Sequence, residues 1–131
     1  ETVLDELESA DIVVDQLICG DYGLFAVEAM NAGVAVVANV NRELRMQYPN
    51  DLPIVQADPN TIERTLRELI ANPELREKYA QGGPNYVAKM HDYHAVLPKV
   101  LEAYLFAANL KNNKKSIIKI QYYLDKVKNE E

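Results

Sequence analysis

The sequence has little of what several classes of protein require. Its 131 residues contain one cysteine, Cys19, which excludes an internal disulfide and any metal site built from several cysteines. No apolar run reaches the roughly 18 residues that a membrane-spanning helix needs. The chain starts at Glu1 and not at Met, and no signal-peptide layout follows, so we interpret it as a fragment or a processed product. The cysteine content fits a cytoplasmic setting.

Basic residues are also in the minority, with 14 against 20 acidic residues. Residues 1–110 hold 17 acids and 8 bases, whereas residues 111–131 hold 3 acids and 6 bases, so the net charges are −9 and +3. The body is too acidic for a nucleic-acid binder. A phosphate ligand would have to be held by local amides and a helix dipole, or by cations outside this chain. The hydrophobic content of 48% is enough for one domain, or part of one, to bury a core.

A glycine turn stands directly in front of a predicted helix. Residues 20–33 read Gly-Asp-Tyr-Gly-Leu-Phe-Ala-Val-Glu-Ala-Met-Asn-Ala-Gly, with the helix expected over about 24–31. Strand-like apolar runs flank this stretch at residues 11–16 and 34–38. This order predicts a βαβ unit, in which the first helical amides have no intrahelical partner and carry partial positive charge. We therefore expect a phosphate-binding corner over residues 21–24.

The residues after this unit predict one more strand and two helices. Residues 52–55, Leu-Pro-Ile-Val, indicate a short third strand, which its proline places at an edge or at the strand start. One helix is expected after residues 58–61, Asp-Pro-Asn-Thr, and another begins at Asn72-Pro73. Residues 82–84, Gly-Gly-Pro, are expected to kink or split the second of these helices.

The C-terminal end is predicted to be helical. A helix is expected over about residues 94–110, followed by a polar linker over residues 111–115 and a last amphipathic helix. Tyr122-Tyr123 and the lysines around them indicate a packed helix rather than a membrane or nucleic-acid surface. The sequence thus predicts an α/β domain over residues 1–110, with a partial Rossmann-like parallel sheet and flanking helices, and a linker with a helical tail over residues 111–131.

Four segments carry a resemblance to a known family by their order and spacing. They are Ala-Asp-Ile-Val-Val at 10–14, Tyr-Gly-Leu-Phe-Ala-Val-Glu-Ala-Met at 22–30, Ala-Gly-Val-Ala-Val-Val-Ala at 32–38 and Asn-Pro-Glu-Leu-Arg at 72–76. Over roughly residues 1–105 the sequence resembles the C-terminal, donor-binding half of a GT-B glycosyltransferase of the family-4 type, which uses nucleotide-sugar donors. The resemblance does not extend to the tail.

The resemblance implies a function and a set of partners. The chain would be the donor-binding part of an enzyme that transfers a sugar from a nucleotide diphosphate to an acceptor, with retention of anomeric configuration and without a bound metal or other cofactor. Its partners would be the nucleotide-sugar donor and an N-terminal acceptor-binding domain, without which the fragment would be inactive. Nucleic acid is not expected, and any peripheral membrane association would come only through the parent protein.

The implied donor site lies at the predicted corner. The opening amides of the helix at Gly23 and Leu24 would approach the diphosphate, and Glu28 would hold the ribose hydroxyls. A glycine lets the backbone come close to phosphate oxygens, and a carboxylate can accept from two vicinal hydroxyls. The residues assigned to donor binding are Asp21, Tyr22, Gly23, Leu24, Phe25 and Glu28. No catalytic residue is assigned.

One position departs from the family pattern. The family has a glutamate eight residues before the one at Glu28, and that position here is Gly20. The absent glutamate is the one associated with the donor sugar. Asp21, or Asp15 at the end of the strand, could substitute for it. The alternative function is therefore a non-catalytic nucleotide-sugar-binding or protein-interaction module that keeps the same fold.

The histidines and the cysteine are given structural roles. His91 and His94 are three residues apart with Asp92 between them, a spacing that could present two metal ligands on a helix. The sequence offers no third ligand that would converge on them, so no metal site is expected. Cys19 lies near the predicted corner without a partner cysteine, and we interpret it as a small apolar residue.

Overall fold

The computed structural model describes residues 2–129, except for the side chain of residue 4, and residues 1, 130 and 131 lie outside it. The chain divides after Val87 into two compact units. The domain boundary after residue 110 stays a prediction. The elements in chain order are α1 (Val3–Ser9), β1 (Ile12–Val14), α2 (Leu24–Asn31), β2 (Ala35–Ala38), α3 (Arg42–Arg45), β3 (Ile54–Gln56), α4 (Ile62–Ala71), α5 (Pro73–Met90), α6 (Tyr93–Leu110) and α7 (Lys114–Lys128).

The first unit contains a parallel sheet of three strands in the order β1-β2-β3. Val36 of the central strand lies opposite Val13 on one side and Ile54 on the other. All four residues of β2 are fully buried, as expected for a central parallel strand with both faces covered. Pro53 directly precedes β3, which is an edge strand of this sheet, so the expected position of the proline is confirmed. The α/β class, with a small parallel sheet and flanking helices, is confirmed.

Helices cover the sheet through their apolar faces. The predicted bounds of α2 are confirmed, and its buried residues are Ala26, Ala29 and Met30. Further along, Val37, Ala57 and Leu69 form a buried cluster that joins β2 to α4. Burying one such large aliphatic side chain stabilises a fold by about 1.5–3 kcal/mol. The core therefore lies around β2, behind the end of the sheet at which α2 begins.

Helix α5 passes through Gly-Gly-Pro without a break, so the predicted split at residues 82–84 is wrong, while the alternative of a kink stays a prediction. The reason lies in packing against α2. A Cβ on Gly83 would come under 3.0 Å from the carbonyl oxygen of Met30, a distance that real Cβ atoms essentially never show. Tyr86, one turn later, is 2% exposed. The glycine therefore serves close helix packing and does not end the helix.

The second unit contains a helix hairpin of α6 and α7. Asn112 in the turn has a φ of 50°, a left-handed conformation that asparagine tolerates better than most residues. Ala108 and Leu124 are buried, and Lys128 Nζ lies 2.7 Å from Glu102 Oε1, so the two helices run antiparallel. The last helix is thus packed through one face. Among the described residues, no helix combines the length and apolar character needed to cross a bilayer.

Candidate functional site

The predicted corner lies at the end of the sheet where the parallel strands finish. In open α/β sheets this carboxyl edge is where ligands bind. Gly23 is the N-cap of α2 and has no side chain to cap the helix, while its backbone N–H donates to Asp15 Oδ2 at 2.8 Å. Asp15 follows β1 directly, and its own N–H donates to the carbonyl of Val37 at 2.9 Å. The strand end and the helix start are therefore joined by one carboxylate.

This contact changes the electrostatics of the corner. A carboxylate beside the first amides of a helix is stabilised by the helix dipole, as a phosphate would be. Asp15 thus already supplies the negative charge that the Gly23 amide favours. Leu24 is 74% exposed and Phe25 is 40% exposed, and the backbone N–H groups of both have no hydrogen-bond acceptor among the described residues. Any anion bound here would lie at these amides, close to the charge of Asp15.

Glu28 lies where the sequence predicts it. It is exposed, and it stands one turn after Leu24 on the same exposed face of α2. Within the described part of the chain, its carboxylate has no hydrogen-bond or ion-pair partner. It can therefore accept hydrogen bonds from a ligand bound at the start of the helix.

Asp21 and Tyr22 are held by other residues of the first unit. Asp21 accepts from the Tyr48 hydroxyl on both oxygens, at 3.1 and 2.9 Å, and from the Tyr22 amide at 2.9 Å. The Tyr22 ring lies 5.1 Å from the Tyr48 ring, and its hydroxyl lies 3.4 Å from the Tyr86 hydroxyl. Burial, and then hydrogen bonding with Asp21, raises the pKa of Tyr48. Burial, and then the contact with Tyr86, raises the pKa of Tyr22. The contacts of Asp21 and Tyr22 with Tyr48 and Tyr86 therefore hold the turn in place.

Gly20 adopts a conformation that excludes the side chain found at its position in the resembled family. Its φ is +81° and it is buried. Its carbonyl accepts a hydrogen bond from the backbone N–H of Asn41 at 2.8 Å. A Cβ at this position would come under 3.0 Å from three atoms of the Asn41 side chain. A glutamate here would therefore require a different turn, and the departure from the family pattern extends beyond one missing carboxylate.

A chain of amide hydrogen bonds links the ends of the three strands. The Asn39 side chain donates to the carbonyl of Leu17 at 2.9 Å and accepts from the Gln56 side chain at 2.8 Å. Gln56 in turn accepts from the Val40 amide at 3.1 Å. The loops after β1 and β2 are thus tied to the end of β3. Helix α2 begins at this hydrogen-bonded edge of the sheet.

Sequence reasoning missed a cavity at the same edge. It has a volume of about 590 Å³ and lies over the ends of β2 and β3; its lining consists of Asn39, Val40, Asn41, Arg42, Arg45, Met46, Asn50 and Gln56. Arg45 points its guanidinium at the carbonyls of Leu52 and Ile54, at 3.2 and 3.3 Å. The polar residues that directly follow the buried strand β2 were the available signal. Asn41 belongs to this cavity and also packs on Gly20, so the cavity adjoins the corner.

Of the remaining sequence candidates, the two histidines are distant from the corner in the chain, whereas Cys19 directly precedes Gly20. Burial lowers the pKa of His91, which disfavours its charged form, and His94 is exposed. The described residues contain no group of three or more His, Cys, Asp or Glu side chains placed to hold a metal ion. Cys19 is exposed and carries a free thiol, so it does not pack as a small apolar residue.

Comparisons of this chain with protein-family models, with curated proteins and with solved structures find no match. The likeness to family-4 glycosyltransferases therefore stays a prediction from the sequence motifs.

Proposed function

We propose that this chain is the donor-binding part of a glycosyltransferase that uses a nucleotide-diphosphate sugar. One observation carries the proposal. Helix α2 starts at the carboxyl edge of a parallel sheet with Leu24 exposed, and Glu28 stands unpaired among the described residues one turn further on the same face. Helix-start amides favour a diphosphate, and a free carboxylate suits the vicinal hydroxyls of a ribose. The motif resemblance supplies the ligand class.

In this proposal the donor lies along the exposed face of α2. The Gly23 amide is already occupied by Asp15, so the diphosphate would use the amides of Leu24 and Phe25. The ribose would then extend along the exposed face toward Glu28. The excess of acids in residues 1–110 means that the cations for the diphosphate would come from outside this chain. In this proposal the isolated chain binds the donor, and transfer with retention needs the acceptor-binding domain of a parent protein.

Calorimetry on the full chain tests the site, with UDP, GDP and their sugars as ligands and the variant Glu28→Gln. Loss of the carboxylate should weaken nucleotide binding about tenfold or more, the usual effect of removing a hydrogen bond to a charged group. Glu74→Gln, which neutralises an exposed glutamate in the first turn of α5, is the matched control and should bind as the original chain does. Absence of nucleotide binding, or equal binding by both variants, would contradict the assignment.

A non-catalytic module is the second candidate, and two observations favour it. Gly20 and Asn41 fill the place of the sugar-associated glutamate, and Asp15 puts a negative charge at the diphosphate corner. Such a module would bind nucleotide sugars no more tightly than the nucleotides themselves. The sequence upstream in the parent gene also separates the two candidates. A preceding domain with its own βαβ pattern and glycine-rich loop supports the transferase, and its absence supports the module.

A further inference from the structure

The outer face of α7 differs in charge from the rest of the chain. Residues 111–128 contain six lysines and one acidic residue, Asp125, whereas the whole chain has a net charge of −6; of these lysines, Lys111 precedes α7 and Lys128 pairs with Glu102 of α6. Lys114 and Lys115 stand in the first turn of α7, which holds no acidic residue. Cations at a helix N-terminus oppose the helix dipole, and Lys115 and Lys119 repel each other at a spacing of four residues. These lysines therefore do not serve the stability of the helix.

Large apolar side chains lie beside these lysines. Ile118 is 71% exposed and Tyr122 is 64% exposed. They are four residues apart, so they form one row along the helix, and Lys115 and Lys119 form the row next to it. The opposite face of α7 carries the buried Leu124 and packs against α6. The outer face is thus a preformed amphipathic surface with an apolar row and a basic row side by side.

We propose that this outer face of α7 binds an anionic lipid surface. Lysines attract anionic headgroups, while isoleucine and tyrosine enter the boundary between headgroups and acyl chains. Charge complementarity favours this occupant, because Lys115 and Lys119 are positively charged and anionic headgroups are negatively charged. The helix is already folded on α6, so binding requires no ordering of this segment. The resemblance implies membrane association only through a parent protein, whereas this proposal assigns it to α7.

Co-sedimentation of the full chain with vesicles tests the proposal. We expect binding to phosphatidylcholine vesicles that contain phosphatidylglycerol, and at least about fivefold less to phosphatidylcholine alone. Raising the salt concentration from about 0.1 M to about 0.5 M should remove most of the binding. Equal binding to both kinds of vesicle, or none to either, would overturn the proposal. So would salt-sensitive self-association without vesicle binding, because the face would then serve a second copy of the chain.

Matched variants identify the face. Ile118→Ser should lower the bound fraction about threefold or more, whereas Ile70→Ser on α4, which is 66% exposed, should leave it unchanged. Lys119→Glu should lower binding further, and Lys78→Glu on α5 should not. Circular dichroism checks that α7 keeps its helix, and Lys119→Gln replaces the charge-reversed variant if helix content falls. Equal effects of the two members of either pair would contradict the assignment to α7.

Discussion

The side chain of Asn41 occupies the space into which any side chain at position 20 would project. A Cβ on Gly20 would come under 3.0 Å from the amide nitrogen, the amide oxygen and the Cγ of Asn41. The backbones of the two residues are also joined, because the Asn41 amide donates to the Gly20 carbonyl at 2.8 Å. The turn before α2 is therefore held by contacts with the loop after β2.

Gly20→Ala should destabilise the chain more than Gly33→Ala. Both glycines have positive φ, at 81° and 73°, and the left-handed conformation alone costs an alanine about 1–2 kcal/mol. At Gly33 the nearest atom to an added Cβ is 4.0 Å away, which is an ordinary contact, whereas at Gly20 the Asn41 side chain must move. Urea unfolding of both variants measures the difference. Equal losses of stability in the two variants would show that the Asn41 side chain moves away at no cost in free energy.

Asp15→Asn should strengthen the binding of nucleotide diphosphates at the start of α2. The change removes a negative charge that accepts from the Gly23 amide, and we expect affinity for UDP to rise about tenfold, or ~1.4 kcal/mol. Asp11→Asn, at an exposed position before β1, is the control and should leave affinity unchanged. Calorimetry on both variants checks this. Weaker or unchanged binding by Asp15→Asn would place the diphosphate away from this corner.

Tyr48→Phe should loosen the turn that carries the donor-site residues. The variant removes the hydroxyl that donates to both oxygens of Asp21, and a hydrogen bond to a charged group contributes about 1.5–3 kcal/mol. Tyr79→Phe is the matched control, because Tyr79 is half-buried and its hydroxyl has no partner within residues 2–129. Denaturant unfolding compares the two variants. A loss of stability as small as that of Tyr79→Phe would contradict a bracing role.

The half-buried tyrosines Tyr22 and Tyr48 predict a fall in stability at high pH. The pKa values of Tyr22 and Tyr48 are raised in the folded chain, with burial as the largest cause, from the ordinary value of 10.0. Above that pH the unfolded chain loses these protons first, so the contribution of the two tyrosines to the free energy of unfolding should be constant below about pH 10 and should fall as the pH rises further. Urea unfolding between about pH 8 and 11 measures this, and Tyr48→Phe should show a shallower fall. A rise in stability with pH would contradict the assigned burial.

Gly83→Ala should destabilise the chain although alanine is the better helix former. The substitution favours an isolated helix by about 1 kcal/mol, but the added Cβ would come under 3.0 Å from the Met30 carbonyl oxygen. Gly82→Ala places its Cβ 3.1 Å from the Cβ of Pro53, a contact that a shift of a few tenths of an ångström relieves, so it should cost less. Thermal unfolding of the two variants tests this order. The reverse order would mean that α2 and α5 separate readily.

Local sequence patterns were sufficient for the elements and insufficient for the contacts between loops. The apolar run of β2 and the glycine before α2 predict a βαβ unit because each depends on neighbours within a few residues. The Gly20–Asn41 contact and the hydrogen bond from the Asn39 side chain to the Leu17 carbonyl join loops that are distant in sequence. Gly83 was misread for the same reason, because its role depends on Met30. The site residues were found by motif, but their partners came only from the folded chain.

The amide chain from Leu17 through Asn39 to Gln56 has a fixed direction, because each side chain donates at one end and accepts at the other. Deamidation of Asn39 would exchange its donor for a charged acceptor that faces the carbonyl of Leu17, and two acceptors repel. Deamidation of a single asparagine would thus break the side-chain link between the loop after β1 and the end of β3. The age of a preparation then becomes a variable that any binding measurement at this edge must control.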